Sequence, residues 1–249
     1  AIGTKVYTSS YLSLLNKQVD LTDKYSNCYP LTEMDTRYTI DVTHIGESQT
    51  RINPDSVKLL WQSSNSLVQY SSYEKSTGEF TFFVGHEDIL DDEKEVVDTR
   101  MPGGNAVVAA YGNGGKIIWS WHLWITNDDP LAATDTYSNG KIFMQRNLGA
   151  FANANGSTEE QKILDSYGMY YQWGRKDPFP RPYHFDASGA EDESRYDMDG
   201  VYIKENFPER SSSNGTLDYV TKNPMHYITN AACVAEGGDG IGDWLVTAD

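Results

Sequence analysis

Two cysteines, five histidines and 36 carboxylates are the side chains with which this chain could do covalent, acid–base or metal chemistry. Their spacing speaks against most of it. Cys28 and Cys233 have no neighbouring base or cation cluster to lower a thiol pKa, which a nucleophilic cysteine requires. A Cys28–Cys233 bridge is compatible with two such residues but does not follow from them. His44, His86, His122, His184 and His226 are scattered, with no His-Glu-x-x-His pair and no metal-ligand spacing. There is no Gly-x-Ser-x-Gly elbow, P-loop or dinucleotide fingerprint. We therefore expect no catalytic residue, no metal and no cofactor. A glycan hydrolase stays open as a third reading, because its carboxylate pair needs only a gap of ~5–10 Å in space.

Three acidic or Gly-Asp stretches fall short of calcium loops. Glu87–Asp98 (EDILDDEKEVVD) lacks the Asp-x-Asp-x-Asp-Gly spacing and reads as a solvated loop. Asp197-Met198-Asp199-Gly200 is a fragment of such a loop, and Gly237–Asp243 is a single, imperfect copy of a glycine-aspartate repeat. The aromatic run Tyr167–Pro180 (YGMYYQWGRKDPFP) has two readings. One is an aromatic core strand closed by a proline-pinned turn. The other is a carbohydrate platform formed by Tyr170, Tyr171, Trp173 and Arg175, since flat rings stack on sugar faces and a guanidinium donates to hydroxyls.

The element that must organise these side chains is Gly104–Pro130. Val107–Tyr111 and Lys116–Thr126 are apolar arms flanking Gly112-Asn113-Gly114-Gly115, in which Asn-Gly suits a type I′ hairpin turn. In the second arm the odd positions Ile117, Trp119, Trp121, Leu123 and Ile125 are all apolar, which is strand periodicity with a core face. The even positions include Ser120, His122, Trp124 and Thr126, a mixed face that needs a cover. Because sequence of a different character begins a dozen residues later, His122 and Trp124 are expected to contact residues beyond 140.

Around this hairpin the chain divides into three: a leader over 1–25 that adds at most an edge strand, a β-sandwich domain over 26–130, and a loop-rich domain over 139–249. Alternation at Tyr38–Val42, Val57–Trp61, Leu67–Tyr73 and Phe80–Val84 predicts the short strands of an antiparallel, immunoglobulin-like sandwich. In the second domain Lys141–Met144 reads as a strand. Ser157–Ser166 reads as a helix with a Ser157/Glu160 capping box. Residues 186–218 read as a long surface excursion. The net charge of −16 opposes nucleic acid and anionic membrane surfaces as partners. No apolar run approaches the ~20 residues that cross a bilayer.

Several segments, in order, resemble one family: Ser26-Asn27-Cys28-Tyr29; Gly104–Tyr111 with Ile118–Trp124; Gln145–Ala150; and Tyr170–Phe179. Lys222-Asn223-Pro224, Tyr227-Ile228-Thr229 and Asp243-Trp244-Leu245 also fit. They are similar to Bacteroidetes fimbrillin-like, adhesin-type surface lipoproteins whose C-terminal part is related to the Fibrobacter succinogenes major paralogous domain. The resemblance implies a mainly β protein: a sandwich followed by an α+β domain distantly like C-type lectins. It also implies a place on the outer face of the outer membrane, anchored without spanning. The implied role is non-enzymatic, in adhesion or pilus assembly, with pilus proteins or host or microbial surface ligands as partners. Strand addition at an exposed sheet edge is the expected assembly mode. The family's Cys-Pro-Pro-Gly segment and lipid-bearing cysteine are not in the sequence, so a fragment with a processed start is expected. The family supplies no catalytic residue to carry over.

Overall fold

The computed structural model describes residues 17–48, 50–180, 184–185, 191–192, 195–204, 206–230 and 244–245. Cys233, Gly237–Asp243 and the first sixteen residues of the leader, which figured in the sequence expectations, lie outside the described residues.

Alternating apolar residues place four strands in each of two sheets. The first sheet has the order β1 (Gln18–Asp20), β3 (Thr36–Asp41), β6 (Glu79–Val84), β5 (Gln69–Glu74). The second has the order β2 (Cys28–Leu31), β10 (Ile117–Ile125), β9 (Gly104–Tyr111), β4 (Ser56–Gln62). This is the A-B-E-D and G-F-C order of an immunoglobulin-type sandwich, with β2 lying parallel to the last strand. Tyr38, Ile40, Phe80 and Phe82 from one sheet and Leu31, Leu59, Val108, Trp121, Leu123 and Ile125 from the other form one buried cluster. The core therefore sits between the sheets, and the protein is mainly β.

The odd face of β10 departs from the sequence pattern at one end. Trp121, Leu123 and Ile125 are buried in the core, but Trp119 is only half-buried. A register shift between Ile117 and Trp119 explains the difference, since a bulge re-aims the side chains beside it. The β9–β10 connection is likewise longer than a two-residue type I′ turn. Asn113–Gly115 forms a 3-10 turn closed by the Gly115 N–H on the Gly112 carbonyl, the Gly112 N–H in turn donating to the Lys116 carbonyl, with positive φ at Gly114 and Gly115.

Two further hairpins leave the end of the sandwich where β6 stops, β9 starts and β10 stops. The first corrects the reading of Glu87–Asp98 as a loop: β7 (Glu87–Leu90) and β8 (Val96–Arg100) pair antiparallel. Asp91 closes their turn by accepting from the N–H groups of Glu93 and Glu95, a local bond that charge counting does not reveal. The second is β11 (Thr134–Thr136) with β12 (Ile142–Met144), so Asn139, the expected domain start, falls in the turn between them.

Beyond it regular structure is sparse among the described residues. There are two helices of six residues, α1 (Glu160–Asp165) and α2 (Leu217–Lys222), and the short pair β13 (His184–Phe185) and β14 (Glu191–Asp192). Glu159, not Ser157, is the N-cap of α1; the Ser157 hydroxyl accepts from the Glu159 N–H one turn earlier, and no capping box forms. Within the 186–218 stretch read as a surface excursion, residues 195–197 are tied to the sandwich, while most other described residues up to 213 are exposed or half-buried. Tyr196 bridges backbone to backbone with Gln62 of β4, the Gln62 amide donates to the Asp197 carbonyl, and Arg195 is fully buried.

The core location of β10 gives a direct check. Leu123→Ala leaves a cavity between two sheets that cannot collapse onto it, and is expected to lower the unfolding free energy by about 2–5 kcal/mol in urea titration.

Candidate functional site

The even face of β10 is where chemistry-bearing side chains converge, because the strand period sends Ser120, His122, Trp124 and Thr126 to the side away from the core. All four are buried. Each is satisfied by residues between 146 and 177, near neighbours on the sheet, or both.

At the lower end, the Thr126 hydroxyl donates to the Phe151 carbonyl at 3.0 Å and accepts from Arg146 Nη1 at 2.9 Å. Arg146 Nη1 also reaches the Phe151 carbonyl, and its Nη2 pairs with Asp128 at 2.6 Å. Next along the strand, Trp124 Nε1 donates to the Ala150 carbonyl at 2.9 Å. This approach depends on Gly149, which holds φ at +84°, a conformation that a side chain would strain.

His122 is the centre of the row. Asn105 Nδ2 donates to the Gly149 carbonyl at 2.9 Å, which leaves its Oδ1 facing His122 Nε2 at 2.8 Å. Nε2 must therefore carry the proton, and Nδ1 is the acceptor. Cys28 Sγ lies 3.2 Å from Nδ1, and the Tyr171 hydroxyl lies 3.5 Å from it. Parallel pairing of β2 with β10 sets Cys28 opposite His122. A cysteine, a histidine and an asparagine in this order are the layout of a nucleophile, its base and the group that orients the base. The electrostatics run the other way. Burial pushes the Cys28 thiol up to about 12 and the His122 imidazolium down to about 3, so both groups are held neutral.

At the upper end, Ser120 Oγ donates to Asp177 Oδ1 at 2.6 Å, and Lys176 Nζ donates to the same oxygen at 2.6 Å and to Ser120 Oγ at 2.5 Å. Lys176 also lies 4.4 Å from the centre of the Trp119 ring. Burial lowers the Lys176 pKa, and the adjacent Asp177 carboxylate opposes that shift. A buried ion pair of this kind is costly to break, because removing one partner strands the other charge.

The proposed sugar platform is divided by the fold. Trp173 is 84% exposed and Tyr170 is 45% exposed, whereas Tyr171 is half-buried beside His122. Arg175 is buried and turned inward. Its guanidinium donates to Gln172 Oε1 at 2.8 Å and to the carbonyls of His226 and Pro224, and it packs 4.8 Å from the Phe179 ring centre. Burial lowers its pKa to about 10, so the charge is kept at neutral pH and spent on joining 172–179 to 224–228. Arg175 is thus removed from the ligand-binding set, for a reason that periodicity in a loop could not show. Neither the Cys28–His122–Asn105 cluster nor the Ser120–Lys176–Asp177 cluster was read from the sequence, since each joins strands far apart in the chain. The available signal was Asn105, a lone amide inside an apolar β-run.

Among the described residues no group of three or more His, Cys, Asp or Glu is placed to hold a metal ion. No family model, no curated protein and no solved structure matches the chain.

The neutral His122 links stability to pH. Its folded pKa lies below the unfolded value of about 6.5, so the unfolded chain takes up the proton first and stability falls as pH drops from about 6.5 toward 3. At pH 5 the expected loss from this group is about 2 kcal/mol. Urea titrations of the native protein and of His122→Gln at pH 7 and pH 5 check it: the variant should lose less stability over that interval.

Proposed function

We propose that the chain is a non-enzymatic adhesion or pilus-associated protein on the outer face of an outer membrane, anchored to the membrane without spanning it. It acts through contacts with other surface or pilus proteins, or with a host or microbial surface ligand. The observation that carries this reading is where apolar surface remains exposed. Ile89, Leu90, Val96 and Val97 on the β7–β8 hairpin and Tyr137, Ile142 and Phe143 on the β11–β12 hairpin stand out from one end of the sandwich. Exposed apolar groups clustered on a projecting element are a mark of interaction surfaces. Among the described residues no helix is long and apolar enough to cross a membrane.

Strand addition to the sandwich itself is disfavoured by its edges. β1 is three residues long, β2 carries Pro30, and β4 is bulged and bridged by Tyr196. β5 is bulged, with Tyr70 at φ +48°. Each of these is a known way to blunt an edge. Contacts through the projecting hairpins are the better mode.

A glycan-binding module is the second reading, favoured by the exposure of the Trp173 ring beside Tyr170. Antibody against the chain, applied to intact source cells, tests the first reading: labelling without permeabilisation is expected, and labelling only after permeabilisation overturns it. A glycan array on intact protein tests the second, with binding expected to disappear in Trp173→Ala and a blank array ending it.

A further inference from the structure

The β7–β8 ribbon combines three features that are unfavourable in isolation. It is a two-stranded sheet of its own, and neither strand pairs with another strand among the described residues. A lone two-stranded hairpin is marginal in water. Its tip exposes Leu90, Val96 and Val97 at 52%, 55% and 59%. Around those three lie Asp92, Glu93 and Glu95, none of which has an ion pair among the described residues.

Lys94, exposed between Glu93 and Glu95, offsets one of these three charges and has no ion pair among the described residues; the remaining ionic groups of the ribbon are engaged. Arg100 Nε donates to Glu87 at 2.8 Å. Asp88 faces His86 Nε2 at 3.3 Å, and the same imidazole bonds Asp35 on the sandwich at 2.6 Å, which ties the base of the ribbon down. Asp91 closes the turn. Asp98 accepts from the Thr99 N–H and so blocks that donor on β8. What is left is an apolar tip, a negative rim and the backbone along β7.

We propose that this ribbon is the docking element for an extended segment of another protein in which apolar residues alternate with Lys or Arg. The inference rests on the contact-protein reading above and names the surface and partner chemistry for it. The segment lies along β7, on the side away from the Asp98 guard, and adds a strand by main-chain bonds. Its apolar side chains cover Leu90, Val96 and Val97, and its cations meet Asp92, Glu93 and Glu95. A second copy of this chain is the poorer occupant. Residues 87–100 carry seven carboxylates against two cations, so two ribbons brought together would repel each other.

The test uses the full chain, isotope-labelled for amide NMR, with two synthetic peptides of equal length, one alternating Lys and Val and the other Glu and Val. The Lys/Val peptide is expected to shift amides within 87–100 saturably, with affinity falling as salt is raised. The Val96→Ser/Val97→Ser variant should weaken that binding at least about tenfold. Asp92→Asn/Glu93→Gln/Glu95→Gln should lose the preference for Lys over Glu while keeping the native spectrum elsewhere. Equal binding of the two peptides, or shifts confined to other residues, overturns the proposal. So does concentration-dependent self-association that Val96→Ser/Val97→Ser abolishes, which would make a second copy the occupant. Adhesion of beads carrying the intact chain to target cells separates the two levels. Adhesion unchanged in Val96→Ser/Val97→Ser defeats the docking site alone, and no adhesion by the native chain defeats the contact-protein reading.

Discussion

A β-strand cannot bury both faces in one sandwich core, and the structure turns on how β10 resolves that constraint. Its odd face supplies Trp121, Leu123 and Ile125 to the core between the sheets. Its even face offers a hydroxyl, an imidazole, an indole and a second hydroxyl, groups that are expensive to bury without partners. Residues 146–177 meet that need at three of the four, with Arg146 and Phe151 at Thr126, Ala150 at Trp124, and Lys176 and Asp177 at Ser120, while His122 is held by Asn105 and Cys28 of the sandwich with Tyr171 beside it. The loop-rich half of the chain has little regular structure of its own. It is positioned by this row, and by the Arg175 contacts that extend it to 224–228.

The row also engages the reactive groups of the chain. A thiol, an imidazole and an amide stand in the geometry of a hydrolytic site, yet burial holds the first two neutral. Lys176 and Asp177 are tied to Ser120 and to each other. Asn105, Ser120, Lys176 and Asp177 link the sandwich to the later part of the chain. Exposed apolar side chains are found elsewhere, among them those of the two hairpins that project from the sandwich.

Period-two alternation made β3, β4, β6, β9 and β10 legible, because a sandwich strand must show a different chemistry to each side. The need to cover His122 and Trp124 was legible for the same reason. The partners were not, because pairing of β2 beside β10 and docking of 146–177 are long-range events that leave no local pattern. The β7–β8 hairpin was hidden by its own charge. Strands exposed on both faces lack alternation, and the Asp91 turn is written in hydrogen bonds instead of in glycine. Arg175 misled for the opposite reason: a cation among aromatics reads as a binding surface until the carbonyls that enclose it are seen.

Through the polar face of β10, residues 147–179 are expected to belong to the same cooperative unit as the sandwich. Native-state hydrogen exchange across increasing denaturant reads this directly, through the opening free energies of amides in β9 and β10 and of amides between 147 and 179. The protected amides of both groups are expected to converge on one opening free energy as denaturant rises. Residues 147–179 opening at a much lower free energy, while β9 and β10 remain closed, would contradict it.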